Sequence, residues 1–160
     1  MGASSPLGRA FGGLVHRVLE WLPFDAPPEA ALAMAEALAP SFGLDAEAAR
    51  RAGEHAGRAL GLPVMERARR SPRVHRELPL FFPDGNDLVE GIVDLVFEED
   101  GQLVVVDYKT DHVEPGQAFV QAAHHAPQLQ LYGRGLAQAT GQRVKERLVL
   151  FTTLGQVVPV

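Results

Sequence analysis

The sequence predicts an α/β fold with a mixed central sheet flanked by helices and preceded by a helical section. Three observations predict it. Residues 10–70 carry apolar side chains at helical spacing, interrupted only by proline and glycine. Extended runs follow between Arg73 and Thr110. A helical stretch then leads to one or two further strands, and this order gives a mixed rather than a purely antiparallel sheet.

The elements follow from local signals. Residues 1–9 read as a flexible leader. From Ala10 to Leu22, the residues Phe11, Leu14, Val15, Val18, Leu19 and Leu22 recur at helical spacing, and Pro23 ends the pattern. Pro28 suits the first turn of a second helix reaching about Leu38, with Pro40 and Gly43 as stops. Asp45 is the expected N-cap of a third helix reaching about Leu60, with Gly61 past its end. A short helix spans Pro63 to Arg70. The many alanines here are accounted for by helix propensity. Arg73 to Phe82 reads as a strand, closed by the turn signal Pro83-Asp84-Gly85-Asn86. Gly91 to Thr110 reads as two strands about a tight turn at Glu99-Asp100-Gly101. Pro115 opens a loosely periodic helix to Ala126, and Pro127 to Ala139 forms a second, stopped by Gly141. Arg147 to Thr153 is a buried strand, and Gln156 to Val160 a last short one. We expect one domain over residues 1–160, with the helical section at 10–70 and the sheet core, including the site, at 73–160.

Composition narrows the function classes. Apolar residues make up 46% of the chain, as in a folded globular protein. Cysteine is absent, which excludes disulfides, thiolate zinc sites and a cysteine-held iron–sulfur cluster. No secretory signal and no membrane-spanning run is seen, so a cytoplasmic location with no membrane partner is the default expectation. The net charge of −5 suits one domain of a larger DNA-handling machine better than an isolated DNA binder. Five arginines between Glu66 and Arg76 are either a nucleic-acid path or a solvated helix end and loop. No phosphate-binding G-x-x-x-x-G-K-[ST] loop is present, so the chain carries no nucleotide-hydrolysing motor.

The chemistry concentrates in the strand pair. Asp107 and Lys109 are two apart and project from one strand face, and Asp94 lies on the partner strand. Two carboxylates are the hard donors that Mg²⁺ or Mn²⁺ prefers, and a lysine beside them can orient a water or balance charge. The plain alternative is a strand-end ion pair between Asp107 and Lys109. Gln128 and Tyr132 are four apart on a helix and share a face; they either contact a phosphate or sit on an ordinary helix surface. His16 on the first helix is either a ligand or a satisfied core histidine, and Glu77 an edge ion-pair partner by default.

Taken together, these pieces resemble the RecB/AddA-type nuclease domains of the restriction-endonuclease-like superfamily, named for the PD-(D/E)xK motif. The similarity lies in Gly12-Gly13-Leu14-Val15-His16-Arg17-Val18-Leu19-Glu20, in Arg76-Glu77-Leu78-Pro79-Leu80, in Gly91-Ile92-Val93-Asp94, in Asp107-Tyr108-Lys109-Thr110 and in Gln128-Leu129-Gln130-Leu131-Tyr132, in the family's order. It implies the restriction-endonuclease-like fold and a metal-dependent DNA exonuclease. Within it, His16, Asp94, Asp107 and the Tyr108 carbonyl would hold Mg²⁺ or Mn²⁺, and Lys109 would act with Asp107 and Asp94 in catalysis. Gln128, Tyr132 and Glu77 would contact DNA or support the site. The implied partners are single-stranded DNA ends and a helicase, as a fused domain or a separate chain, in double-strand break repair and recombination. The competing reading is an inactive or weakly active DNA-binding or scaffolding module of such a complex, and RNA remains an alternative substrate. One position departs from the family pattern: His125 stands where a tyrosine often precedes the helix glutamine.

Overall fold

A computed structural model describes residues 5–160. Helix α1 spans Pro6–Trp21. The Ser5 side chain accepts a bond from the Gly8 N–H (3.0 Å) and Pro6 occupies the first helical position. Ser-Pro is thus a helix start, and Pro6–Arg9 are helical rather than part of a leader; Met1–Ser4 lie outside the described residues. α2 (Pro28–Leu38) runs into a short 3-10 turn that ends at Gly43, in the left-handed region at φ 68°. α3 (Ala46–Leu60) is capped by Asp45, whose Oδ1 accepts from the Ala48 N–H at 2.8 Å. α4 is Pro63–Arg69. The alanines do more than favour helix. Ala31 and Ala35 on α2 and Ala52 and Ala56 on α3 are fully buried, and Gly53 lies directly against Leu32. Small side chains let these helices approach closely, and the four helices form one layer.

The strands are β1 (Val74–Asp84), β2 (Asp87–Glu99), β3 (Gln102–Lys109), β4 (Val144–Phe151) and β5 (Gln156–Pro159). They form one sheet in sequence order, with β3 and β4 parallel and the other neighbours antiparallel. Asp100 and Gly101 both take positive φ (54° and 75°), which closes the β2–β3 turn in the sense that matches strand twist. The parallel β3–β4 pair needs a crossover, and α5 (Ala118–Thr140) supplies it.

The sequence predicts two helices over the α5 stretch, and the structure has one, with Pro127 inside it. Proline removes one backbone donor and costs about 3 kcal/mol in a helix interior. Burial on both sides of it offsets that cost: Ala118, Ala122 and Leu129 pack against Val149, Phe151 and Val158, and Tyr132 and Leu136 pack against Leu80, Phe82 and Val93.

The sheet's two faces have different covers. Leu95, Phe97, Val104, Val106 and Tyr108 pack on α1–α4, whereas Val96, Val105 and Val93 pack on the α5 side. The β1–β2 hairpin changes face along its length. Val74 packs with the helical layer, but Leu78, Leu80 and Phe82 face α5, although simple alternation would keep them on one side. The switch occurs where Glu77 takes φ 50°. A left-handed backbone at a residue with a side chain costs roughly 1–2 kcal/mol. Asp94 lies on the facing strand between Leu95 and Val93, which also take opposite faces.

Candidate active site

The β2–β3 ladder stops at Leu95 paired with Val106. Beyond it the strands part, and side chains replace the ladder. The Tyr108 backbone N–H donates to Asp94 Oδ2 at 2.7 Å, so this carboxylate is held by the strand it no longer pairs with. Helix α1 passes over the gap. His16 Nε2–H donates to the Tyr108 carbonyl at 3.1 Å, and its Nδ1 lies 3.2 Å from Asp94 Oδ1 and 3.7 Å from Glu77 Oε1. One ligand atom each from His16, Glu77 and Asp94 lies within 4.8 Å of the others.

Arg76 explains why α1 arrives here. Its Nη1 donates to the carbonyls of Leu19 and Glu20 (both 3.1 Å) and of Leu22, and its guanidinium sits 3.6 Å above the Phe24 ring. It therefore terminates α1, where the helix dipole favours a cation. The next residue, Glu77, is then presented to His16.

Asp107 and Lys109 complete the site. Lys109 Nζ stands 2.9 Å from Asp107 Oδ2. The geometry is that of a charge contact, since Asp107 Oδ2 is buried without a hydrogen bond, as is Glu77 Oε1. Burial, and then the neighbouring Asp94 charge, push the Asp107 carboxyl up to about 6, against the pull of Lys109. Burial alone would lower His16; the hydrogen bonds and charges of Asp94 and Glu77 outweigh it and raise the imidazole to about 10. Three carboxylates therefore gather with one lysine and one histidine, and two buried oxygens, Glu77 Oε1 and Asp107 Oδ2, have a charged neighbour but no aligned hydrogen bond.

The sequence-predicted residues are thus largely brought together: His16, Glu77, Asp94, Asp107, the Tyr108 carbonyl and Lys109. Glu77, expected in a secondary role, stands with His16 and Asp94 in the tightest group. Gln128 and Tyr132 form a pair of their own, the Gln128 amide donating to the Tyr132 hydroxyl at 3.1 Å. Tyr132 is buried across Gly91 on β2, three residues before Asp94, where any side chain in place of glycine would collide with the phenol. The five arginines all have partners within the chain, and Arg69, Arg70 and Arg73 are exposed. Arg67 binds Glu99 and Glu146, Arg69 and Arg70 bind Glu66, Arg73 lies 3.9 Å from Glu98, and Arg76 ends α1.

Two residues went unnoticed in the sequence. The Thr152 hydroxyl donates to the Lys109 carbonyl at 3.2 Å, and the Thr152 N–H donates to the same oxygen at 3.0 Å. His55 Nδ1 on α3 lies 2.9 Å from that hydroxyl. Burial, helped by Arg58 and Arg51, lowers His55 to about 4, so it is a neutral donor to a hydroxyl already donating onward. This relay holds the backbone of Lys109. Only a buried threonine after a strand hints at it in sequence.

The sequence signature of the PD-(D/E)XK nuclease superfamily matches residues 2–157. The chain belongs to the PD-(D/E)XK nuclease superfamily. Its mixed five-stranded sheet with flanking helices is the restriction-endonuclease-like fold. Among its relatives are proteins named as subunits of an ATP-dependent helicase/nuclease. That of Thermoanaerobacter sp. (strain X514) is 33% identical over 88 residues, covering 55% of this chain and 7% of the relative. That of Clostridium acetobutylicum is 36% identical over 85 residues (52% and 7%), and that of Desulforudis audaxviator 41% over 73 residues (46% and 6%). The aligned region thus spans less than a tenth of these relatives' length. No helix among the described residues is long and apolar enough to cross a membrane.

Proposed function

We propose that the chain is a Mg²⁺- or Mn²⁺-dependent deoxyribonuclease domain, acting as an exonuclease on single-stranded DNA ends delivered by a helicase in double-strand break repair and recombination. The observation that carries this reading is the clustering of carboxylates at the parted β2–β3 strands: Glu77 Oε1 and Asp107 Oδ2 are buried without an aligned hydrogen bond, and Lys109 stands 2.9 Å from Asp107. Carboxylates and one imidazole suit a hard divalent ion, and Mn²⁺ as well as Mg²⁺. His16, Asp94, Asp107 and the Tyr108 carbonyl would hold it, with Glu77 close enough to join. When bound, such an ion polarises the phosphate and lowers the pKa of an attacking water. Lys109 orients that water and offsets the charge that develops on the phosphate oxygens. Asp94 keeps the end of β3 in place through the Tyr108 N–H. Gln128 and Tyr132 support the hairpin that carries Asp94, with the Gln128 amide exposed towards DNA. The helicase partner is supported by the names of the relatives.

The scaffolding alternative leaves the crowding of carboxylates without a purpose, since apolar residues would pack the same gap at lower cost. The deciding experiment incubates the protein with labelled linear single- and double-stranded DNA in Mg²⁺, Mn²⁺ or EDTA. Shortening of single strands in either metal, abolished by EDTA, is the expected result; intact DNA in both metals would overturn the reading.

A further inference from the structure

Two cavities meet beside Lys109. The smaller, about 380 Å³, is lined by His16, Tyr108 and Lys109. The larger, about 790 Å³, lies between α1, α3 and the segment after β3, and is lined by Phe11, Arg51, His55 and Thr110. Both share Gly8, Thr110 and Asp111 as walls, so the larger continues directly from the site. Its volume is that of a typical organic-ligand pocket.

The walls divide by chemistry. On one side Phe11 and His55 meet edge to face, with ring centroids 5.0 Å apart. Over Phe11, the Arg51 guanidinium lies 4.9 Å from the ring centroid. Arg51 is exposed and has no carboxylate within ion-pair distance among the described residues. Of the acids on the same rim, Asp45 caps α3 and Glu47 pairs with Arg50, while Asp111 is exposed at the junction with the smaller cavity. An arginine held in place by an aromatic ring, beside an apolar wall, presents a phosphate donor next to a surface for a base or sugar.

We propose that this larger cavity is a subsite for the nucleotide adjoining the cleaved bond of single-stranded DNA, with Arg51 holding its phosphate and the Phe11–His55 wall receiving its base. The proposal rests on the cleavage reading above and adds to it where the strand runs.

The test compares the parent with Arg51→Gln and Arg51→Lys. Cleavage in Mn²⁺ is measured on a labelled single-stranded oligodeoxynucleotide and on bis(4-nitrophenyl) phosphate, which has no adjoining nucleotide. Oligonucleotide binding is followed separately by fluorescence anisotropy in EDTA over a salt series. Arg51→Gln should raise KM for the oligonucleotide roughly tenfold with kcat within about twofold, and leave bis(4-nitrophenyl) phosphate unaffected. The slope of log Kd against log salt should shrink by about 0.7, one phosphate contact on a single strand, and Arg51→Lys should restore it. Parental KM and slope in Arg51→Gln would overturn the subsite while leaving the cleavage reading intact. If the parent cleaves neither substrate, the cleavage reading falls, and the anisotropy slopes alone still decide for or against the subsite.

Discussion

The β2–β3 strand pair carries a cluster of charges at each end, and the two clusters are built on opposite principles. At the turn end, Glu99 and Glu146 meet Arg67, and Glu99 also meets Lys145 at 2.7 Å. Arg67 grips Glu99 through two nitrogens, at 3.0 and 2.8 Å. Every acid there has a cation, and hydrogen bonds from Arg67 and then Lys145 lower Glu99 to about 2. At the open end, Glu77, Asp94 and Asp107 share one lysine and one histidine, and Asp107 rises to about 6. The first cluster is complete as it stands and fastens α4 to the sheet. In the second, two buried carboxylate oxygens are left without an aligned hydrogen bond, which suits the proposed cation site. Counting acids does not separate the two; counting the donors each acid has left does.

The comparison breaks most easily at the open end. Lys109→Ala should reduce single-turnover cleavage of single-stranded DNA by about a hundredfold or more, with Mn²⁺ affinity largely intact. Asp94→Asn should lose both cleavage and Mn²⁺ binding. Parental cleavage by Lys109→Ala would make the lysine a plain ion-pair partner of Asp107.

Next in size is the relay behind the lysine. Thr152→Val removes the hydroxyl between His55 and the Lys109 carbonyl while keeping its shape. We expect a fall of roughly tenfold in kcat with unchanged Mn²⁺ affinity, the scale of a slightly misplaced catalytic group. Equal kcat in the two proteins would show that the β3 end is held well enough without it.

At the turn end the effect should be on stability alone. Arg67→Met leaves Glu99 and Glu146 short of a partner, costing about 1–2 kcal/mol and a few degrees of melting temperature at pH 7, with cleavage untouched. The folded-state pKa of Glu99 is depressed from 4.5 to about 2, so its contribution is present above 4.5 and lost as pH falls towards 2. The melting gap between parent and variant should close over that range; a gap that persists at pH 2 would mean that Arg67 acts by packing on Phe97, 5.8 Å away.

A second effect on stability has the opposite sign. Asp107 is raised on folding from 3.8 to about 6, so stability falls as the pH rises from about 3.8 through about 6, with no effect below that range and the full penalty above it. In EDTA, Asp107→Asn should melt above the parent at pH 8 and level with it at pH 3.5. A variant that melts lower at pH 8 would show that the Lys109 contact outweighs burial.

Much of this was legible along the chain. Asp-Gly at the β2–β3 turn, Pro28 and Asp45 at helix starts, and the alternating apolar strands are local signals, each read within a few residues. Asp94, Asp107 and Lys109 could be placed together because a tight hairpin sets its own register. Glu77 could not. Its part in the cluster depends on a positive φ that turns the hairpin over, and no local rule predicts that for glutamate. Pro127 misled for a related reason: a local breaker was overruled by burial on either side of it.

What the sequence determined by itself is therefore the elements, their order and the kinds of side chain available for chemistry. Backbone propensity, capping and periodicity act over one or two turns of chain. The tertiary structure decided which charges are neutralised and which are left over. His16 meets the Tyr108 carbonyl across 92 positions, and His55 meets Thr152 across 97. Contacts at that separation depend on how α1 and α3 dock on the sheet, through Arg76 at the end of α1 and the buried alanines between α2 and α3. The five arginines divide the same way: Glu66 holds Arg69 and Arg70 through local helical spacing, whereas only packing brought glutamates to Arg67 and helix carbonyls to Arg76 and left Arg73 at the margin of an ion pair.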